Sequence, residues 1–258
     1  MIARYHYGVS LTAKFFLALI IVFLVTSAGL VINQYHDYEL DLFTGRTELP
    51  LVTGRVGREA AKALGYGLFL PALFLAAVIS IKAPIITLVA SFLAVAYSSP
   101  PLRFKARPLL DSLTNGMTYG PITMMLVFES LGLPLRWAAV YSFPFLIFLS
   151  AGHMLLAIPT IDEDLSLGVK TSASWLGKEK GIKVGISLFI VSTAIVVVYC
   201  VAGWYPSVSL FFLPFMAYSI SQLWRWLRGA EKRDAFRRME VAFLIGAVAF
   251  LLPFFVHR

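Results

Sequence analysis

The sequence predicts an all-α protein, a polytopic transmembrane helical bundle that forms one integral-membrane domain over residues 1–258. Composition supports this, because 59% of the residues are hydrophobic and only 14% are charged. A soluble domain normally has about a quarter charged residues, so little of this surface meets water. In addition, the apolar residues form runs of roughly 20 residues, enough for a helix to cross a hydrocarbon core about 30 Å thick.

Eight apolar runs qualify as candidate spans, although several are short and extend into their flanks. Six of the runs contain a proline, which membrane helices tolerate because neighbouring groups satisfy the freed carbonyl. The runs are residues 15–33, 65–81, 83–97, 109–131, 137–158, 184–202, 207–226 and 241–256.

The distribution of charge predicts which loops face the cytoplasm. Of the 22 Lys and Arg residues, 17 lie in four alternate loops, residues 33–64, 98–108, 159–183 and 225–240. The positive-inside rule places these loops in the cytoplasm and both termini outside, so the net charge of +8 does not indicate a nucleic-acid partner. Nine of the 14 acidic residues also lie in loops 33–64 and 159–183. Acids contribute little to topology, so this clustering needs another explanation.

The first acidic motif follows the first apolar run. Asn33, Asp37 and Asp41 are spaced i, i+4, i+8, so on a helix their side chains stack along one face. Carboxylate and amide oxygens are ligands that suit Mg²⁺, which usually shares its coordination shell with substrate phosphates. A solvated helix end is the alternative, but the motif continues a membrane helix, where ionisable groups are usually functional.

The second acidic motif follows the fifth apolar run. Asp162, Glu163 and Asp164 place three carboxylates side by side, and such charges repel unless a cation compensates. Thr160 and Asp164 share a helical face, and Lys170 is close enough in sequence to meet the phosphate of a metal-bound substrate. The alternative is a polar turn without a ligand.

A basic loop connects the third and fourth runs. Arg103, Lys105 and Arg107 alternate between flanking prolines, which favour an extended strand with all three cations on one face. Three cations opposite two acidic motifs predict a site for a strongly anionic ligand, with Mg²⁺ bridging acid and anion. The alternative is anchoring by the positive-inside rule alone.

These motifs together resemble the UbiA superfamily of intramembrane prenyltransferases. Asn33-xxx-Asp37-xxx-Asp41 is similar to the family's first aspartate-rich motif, and residues 50–56, PLVTGRV, resemble the following RPxxSGRV stretch. Residues 97–108, YSSPPLRFKARP, resemble the YSxPPxRLKxRP loop. Residues 158–177, IPTIDEDLSLGVKTSASWLG, look like the second motif, DxxxD followed by GxxTxxxxLG. The matches occur in family order over nearly the whole chain.

The chain departs from the family pattern at three places. Thr160 stands where the second motif has its first aspartate, so we expect Asp162 to substitute for it. Leu49 stands where the family has an arginine. The family usually has nine spans rather than eight, and the additional helix would precede residue 15.

The resemblance implies a central cavity capped by cytoplasmic loops. A polyprenyl diphosphate would bind there through Mg²⁺, with its tail in an apolar channel open to membrane lipid, and would react with a hydrophobic acceptor. The implied catalytic residues are Asp37, Asp41 and Asp164, and the implied metal ligands are Asn33, Asp37, Asp41, Asp162 and Asp164. The implied substrate-binding residues are Asn33, Arg46, Arg55, Tyr97, Arg103, Lys105, Arg107 and Lys170.

Alternatives to prenyl transfer stay open at this point. A terpene cyclase on the same scaffold would consume no acceptor, and a catalytically retired lipid-binding protein would fit Thr160. A transporter is a weaker alternative, because no inverted repeat is visible. Further polar residues inside the apolar runs include Asp111, Asn115, Glu129 and His153. Asp111 and Asn115 share a face, where they would orient the basic loop or an acceptor, or form an interhelical hydrogen bond. For His153 we favour a hydrogen-bonded bundle histidine over an acceptor-side base.

Overall fold

The structure, a computed structural model, describes residues 7–8, 10–229 and 232–251. Within these residues the regular structure is entirely helical, which confirms the predicted all-α class. The first half of the chain forms helices α1 Ala13–Phe43, α2 Arg58–Gly67, α3 Phe69–Ile79, α4 Ala83–Ser98, α5 Leu110–Met117 and α6 Thr123–Ser130. A 3₁₀ turn, Phe104–Ala106, lies between α4 and α5, and a π-helical turn, Thr118–Ile122, joins α5 to α6.

The second half of the chain begins with a long helix and two short ones. These are α7 Leu135–Ala157, α8 Ile161–Ser166 and α9 Ser172–Leu176, with the 3₁₀ turn Ile158–Thr160 between α7 and α8. Three more helices follow: α10 Lys178–Val201, α11 Leu213–Leu227, which is preceded by the 3₁₀ segment Ser207–Phe212, and α12 Lys232–Leu251.

The predicted count of eight spans is not confirmed, although every one of the eight apolar runs contains helix. Among the described residues, five helical segments are long and apolar enough to cross a membrane: Ala13–Phe43, Arg58–Ile79, Leu135–Ser166, Lys178–Val201 and Ser207–Leu227. Of the other three runs, the third forms a helix of only 16 residues, and the fourth is divided by the π-helical turn. In the eighth run, residues 252–256 lie outside the described part of the chain.

Helix α1 carries the chain from the membrane to the first acidic motif. Its 31 residues extend about 46 Å at 1.5 Å per residue, well beyond a hydrocarbon core of about 30 Å. Ala18, Ile21, Val25 and Ala28 form a buried stripe against α3 and α4. The side chain of Phe23 on another face is 70% exposed, as expected for a lipid-facing residue. Because the helix is continuous, this packing fixes the direction of the polar residues at its end.

A second packing cluster joins α6, α7, α10 and the helices that follow. Phe128, Tyr141, Leu155 and Phe189 are fully or almost fully buried in it. Tyr205 is also buried, and its hydroxyl donates a hydrogen bond to the carbonyl of Tyr141. The large cavity described below is lined by α1 and α4 on one side and by α5 and α7 on the other, between the two clusters.

Helix α5 and the π-helical turn that follows it approach α7 closely at two glycines. A Cβ atom at Gly116 would lie 2.1 Å from the Ser150 Oγ and 2.6 Å from the carbonyl oxygen of Leu146. A Cβ atom at Gly120 would lie 3.2 Å from the backbone nitrogen of Leu146. Small residues spaced four apart allow such backbone contact between membrane helices. The contact brings the α5 side of the cavity against α7.

We predict that Gly116→Ala destabilises the protein by roughly 1–3 kcal/mol, because the backbone oxygen of Leu146 cannot move away as a side chain can. Thermal unfolding of purified protein in detergent measures this as a lower Tm. Gly152→Ala is the matched control, since nothing lies within 4 Å of a Cβ atom at that position in α7. Equal Tm values for the two variants would contradict the prediction.

Candidate active site

A cavity of about 500 Å³ lies between α1, α4, α5 and α7. Its inner walls are mostly apolar, whereas charged side chains gather at the end of α1 and in the loops beside it. Eight of the predicted site residues line it: Asn33, Asp37, Asp41, Arg46, Tyr97, Arg103, Lys105 and Asp164. The chain therefore brings the first acidic motif, the basic loop and part of the second acidic motif to one place.

The first acidic motif contacts the basic loop through Lys105. The Lys105 ammonium donates to the Asn33 Oδ1 at 3.0 Å and forms an ion pair with the Asp37 carboxylate. The Ser98 hydroxyl donates to the same Asn33 oxygen at 2.8 Å, and an Arg103 guanidinium nitrogen lies 4.0 Å from Asp37. Burial lowers the pKa of Lys105, and the charge of Asp37 opposes that shift. The ion pair therefore stabilises a buried positive charge against the first motif.

The basic loop is not the extended strand that its alternating cations predict. The backbone N–H groups of Ala106 and Arg107 donate to the carbonyls of Arg103 and Phe104, at 2.9 and 3.0 Å, and close a 3₁₀ turn. Arg103 enters the turn in the left-handed conformation, with φ of 39°. A 3₁₀ turn repeats every three residues, so side chains two apart point in different directions. The Arg107 guanidinium accordingly donates to the Pro101 carbonyl at 3.0 Å and does not line the cavity.

Arg46 links the two acidic motifs. Its Nε lies 3.6 Å from the Asp41 carboxylate, and its Nη2 lies 4.0 Å from the carboxylate of Glu163. The backbone N–H of Arg46 also donates to the Asp41 carbonyl at 3.0 Å, so a turn after α1 holds the arginine near this aspartate. Sequence reasoning placed Arg46 in the site, but it did not identify Glu163 as its second partner.

The second motif contributes Thr160 and Asp164 to the cavity wall. The Thr160 hydroxyl is within 3.4 Å of the Asp164 carboxylate, to which it donates. Asp162 is exposed and does not line the cavity, because two residues along a helix turn the side chain by roughly 200°. The structure therefore does not bring Asp162 to the other predicted metal ligands.

Two predicted substrate-binding residues also lie outside the cavity wall. Arg55 and Lys170 are exposed and do not line the cavity. Lys170 stands between Val169 and Thr171, which do line it. Its neighbours in sequence therefore belong to the site although its own side chain does not.

Asp111 anchors the loop that follows the second motif. Its fully buried carboxylate accepts hydrogen bonds from the Ser172 backbone N–H, at 2.8 Å, and from the Ser172 hydroxyl. The same hydroxyl accepts from the backbone N–H of Leu109 at 2.8 Å. Of the roles considered for Asp111, the structure thus shows an interhelical hydrogen bond. A carboxylate inside an apolar run requires hydrogen-bond donors. The position of Asp111 in such a run therefore indicated, from the sequence, that it has a partner such as Ser172.

Polar side chains also line the inner part of the cavity. The Tyr97 hydroxyl and the His153 Nε2 are 2.8 Å apart, and Asn115, Thr118 and Tyr119 lie along the same wall. Thr118 and Tyr119 belong to the π-helical turn, whose Thr118 carbonyl accepts a hydrogen bond from the Thr123 hydroxyl at 2.8 Å. Such π-helical turns occur frequently at functional sites, but no periodicity in the sequence predicts them.

The oxygen atoms of this cavity suit Mg²⁺. Asn33, Asp37 and Asp41 offer amide and carboxylate oxygens on α1, and Asp164 offers a carboxylate from the opposite wall. Among the residues that the structure describes, no group of three or more His, Cys, Asp or Glu side chains is close enough to hold a metal alone. This donor set fits an ion that is held jointly by protein carboxylates and substrate phosphates.

The model of the UbiA prenyltransferase family matches residues 2–251. The digeranylgeranylglyceryl phosphate synthase of Methanobrevibacter smithii is 29% identical over 185 residues, which are 69% of this chain and 64% of that protein. This match thus spans less than two thirds of that relative's length.

Two solved structures share the fold. A UbiA homologue from Aeropyrum pernix K1 superimposes with a TM-score of 0.77 at 18% identity, over 98% of this chain and 92% of that chain. A UbiA homologue from Archaeoglobus fulgidus, bound to DMAPP and Mg²⁺, gives a TM-score of 0.67 at 17% identity, over 96% and 92% of the two chains.

We predict that Asp111→Ala destabilises the protein by roughly 1–3 kcal/mol, because it leaves the buried N–H of Ser172 without its acceptor. Tm measures the loss, and limited proteolysis should show faster cleavage between residues 165 and 172. Asp162→Ala, at an exposed position on α8, is the control and should leave both properties unchanged. An Asp111→Ala protein as stable as the control would refute the anchoring role.

Proposed function

The chain belongs to the UbiA prenyltransferase family, and from this premise we propose that it transfers a prenyl group from a polyprenyl diphosphate to a lipophilic acceptor. The family match confirms the resemblance seen in the motifs, and the membrane-length helices agree with an integral membrane enzyme. The observation that carries the proposal is the convergence of Asn33, Asp37, Asp41, Lys105 and Asp164 on one cavity with apolar inner walls.

The diphosphate head group would bind at the charged end of the cavity. We assign Asn33, Asp37, Asp41 and Asp164 to hold Mg²⁺, which when bound would stabilise the negative charge of the leaving diphosphate. The Archaeoglobus fulgidus homologue was solved bound to DMAPP and Mg²⁺, which supports this choice of ligands. Lys105 and Arg103 would then direct their positive charges to the diphosphate oxygens, as preorganised cations do in a water-poor site.

The prenyl tail and the acceptor would occupy the apolar part of the cavity. Val25, Leu30, Leu93 and Leu156 line this part and are suited to a hydrocarbon chain that enters from membrane lipid. The ring face of Tyr97 would stabilise the allylic cation that remains after the diphosphate departs. The chemistry thus needs a charged and an apolar region in one cavity, which the chain supplies from different helices.

The geometry narrows the residues that we assign to the site. Arg55, Arg107, Lys170 and Asp162 do not line the cavity, so we leave them out of the proposed binding set. In the second motif we propose Asp164 as the metal ligand, with Thr160 holding it by a hydrogen bond, in place of a role for Asp162. Mutagenesis of Asp162 and Asp164 distinguishes this assignment from the expectation, based on the sequence, that Asp162 is a metal ligand.

We predict that Asp37→Ala and Asp41→Ala each lower Mg²⁺-dependent diphosphate release by roughly 10²–10³-fold, because each removes charge stabilisation from the leaving group. The assay incubates the purified protein with a series of prenyl diphosphates of increasing length and measures released diphosphate. Glu59→Ala, at an exposed acid of α2, is the control. Wild-type turnover in either aspartate variant, with an unchanged Tm, would remove the metal assignment.

We predict that Asp164→Asn abolishes activity whereas Asp162→Asn retains it, because only Asp164 lines the cavity. We further expect Thr160→Asp to lower the Mg²⁺ concentration needed for half-maximal activity, since a carboxylate is a stronger Mg²⁺ ligand than a hydroxyl. Mg²⁺ titrations of diphosphate release measure all three variants. Equal losses in Asp162→Asn and Asp164→Asn would restore Asp162 to the site.

We also propose that the loops carrying the motifs face the cytoplasm, as the 17 basic residues in four loops indicate. We expect single cysteines at exposed Thr53 and Lys170, in a Cys200→Ser background, to resist a membrane-impermeant maleimide in intact cells. The same reagent should label them after the membrane is opened. Labelling from outside intact cells would show the opposite orientation.

A further inference from the structure

Two polar side chains in the inner part of the cavity have no role in the proposed binding of the diphosphate. Tyr97 on α4 and His153 on α7 are joined by a hydrogen bond of 2.8 Å between the Tyr97 hydroxyl and the His153 Nε2. Their rings meet edge to face, with centroids 5.9 Å apart at 83°. Both residues line the cavity, and the pair connects its two sides.

The three carboxylates of the cavity wall already have partners among the described residues. Asp37 is paired with Lys105, Asp41 with Arg46, and Asp164 accepts from Thr160. The His153 imidazole instead contacts a neutral hydroxyl, and its Nδ1 is buried without a hydrogen-bond partner in the part of the chain that the structure describes. Buried polar groups of this kind are expensive inside a membrane protein and usually have a function.

We propose that Tyr97 and His153 form a proton relay that removes the proton of the acceptor. This role rests on the prenyl transfer proposed above. The acceptor belongs to the class whose reacting oxygen carries a proton, an alcohol or a phenol. Tyr97 is suited to touch this group because its hydroxyl both donates and accepts. His153 acts through Tyr97, since its Nε2 is the atom that contacts the tyrosine.

In the proposed step, the prenyl group moves from the diphosphate oxygen to the acceptor oxygen. The bond between the allylic carbon and the diphosphate oxygen breaks, and its electron pair leaves with the diphosphate. A lone pair of the acceptor oxygen forms the new carbon–oxygen bond. The acceptor proton moves to the Tyr97 oxygen, while the proton of the Tyr97 hydroxyl moves to the His153 Nε2. The imidazolium later releases its proton to water, and no oxidant or reductant takes part.

The relay requires one tautomer of neutral His153. Its Nε2 must be the acceptor of the Tyr97 hydroxyl proton, so the hydrogen of the imidazole resides on Nδ1. Asn115, Thr118 and Tyr119 place further hydroxyl and amide groups in the same wall, which suits an acceptor with a polar reacting group and an apolar body. An acceptor that loses no proton would gain nothing from this arrangement.

The test separates prenyl transfer from diphosphate release in one reaction. Purified protein receives geranylgeranyl diphosphate, Mg²⁺ and geranylgeranylglyceryl phosphate as the hydroxyl acceptor, and mass spectrometry measures the prenylated acceptor and free geranylgeraniol. The variants are His153→Gln, which can keep a hydrogen bond to Tyr97 but is not a base, and Tyr97→Phe. Ser150→Ala is the control, because it removes a hydroxyl from the same helix at a position that does not line the cavity.

We expect both relay variants to lower the ratio of prenylated acceptor to geranylgeraniol by roughly 10²-fold, the usual contribution of a general base. Diphosphate release should persist in His153→Gln, whereas Asp37→Ala should lose release itself, so failure of the relay is distinct from failure of the proposed function. If His153 had only a structural role, His153→Gln would keep the wild-type ratio, because glutamine can keep the hydrogen bond to Tyr97. A wild-type ratio in His153→Gln would overturn the proposal.

A second measurement does not depend on the acceptor supplied. In ¹⁵N-histidine-labelled protein, the His153 signals are those missing from the His153→Gln spectrum, among the four histidines of the chain. We expect an unprotonated Nε2 whose ¹⁵N shift moves in Tyr97→Phe. A protonated Nε2 would mean that His153 donates to Tyr97 and would overturn the proposed direction of proton transfer.

Discussion

The arrangement of this protein depends on how it holds carboxylates beside a membrane. An isolated charge in an apolar environment is costly, so it must be paired or hydrogen-bonded. Lys105 meets this requirement for Asp37 and Asn33, and Arg46 meets it for Asp41 and Glu163. These contacts join the basic loop and both acidic motifs into one site.

The packing of the helices fixes the positions of these charged side chains. Helix α1 is continuous from its buried stripe to Asp41, so the packing of Ala18 and Ile21 also orients the first motif. On the other side, the close approach at Gly116 brings α5 against α7, and Asp111 ties the start of α5 to the loop after the second motif. The charged loops therefore rest on rigid elements, which is what a site for a reactive cation requires.

Much of the fold and part of the site could be predicted from the sequence, for physical reasons. The i, i+4 spacing of Asn33, Asp37 and Asp41 places them on one face of any helix, and the structure has them along one cavity. The prediction of an extended strand for the basic loop was wrong, because local hydrogen bonds close a 3₁₀ turn around Arg103 and Lys105 instead. The Tyr97–His153 contact joins residues 56 positions apart. Such a contact depends on how α4 and α7 pack, and no spacing in the sequence encodes it.

In the proposed site, the acids and bases of the cavity bind Mg²⁺ and a prenyl diphosphate together. Calorimetric binding of geranylgeranyl S-thiolodiphosphate, which resists cleavage, tests it without any acceptor or turnover. We expect binding to the wild-type protein in Mg²⁺, little binding in EDTA, and little binding to Asp37→Asn in either condition. Binding of equal strength in Mg²⁺ and in EDTA, or unchanged binding to Asp37→Asn, would rule out this joint site.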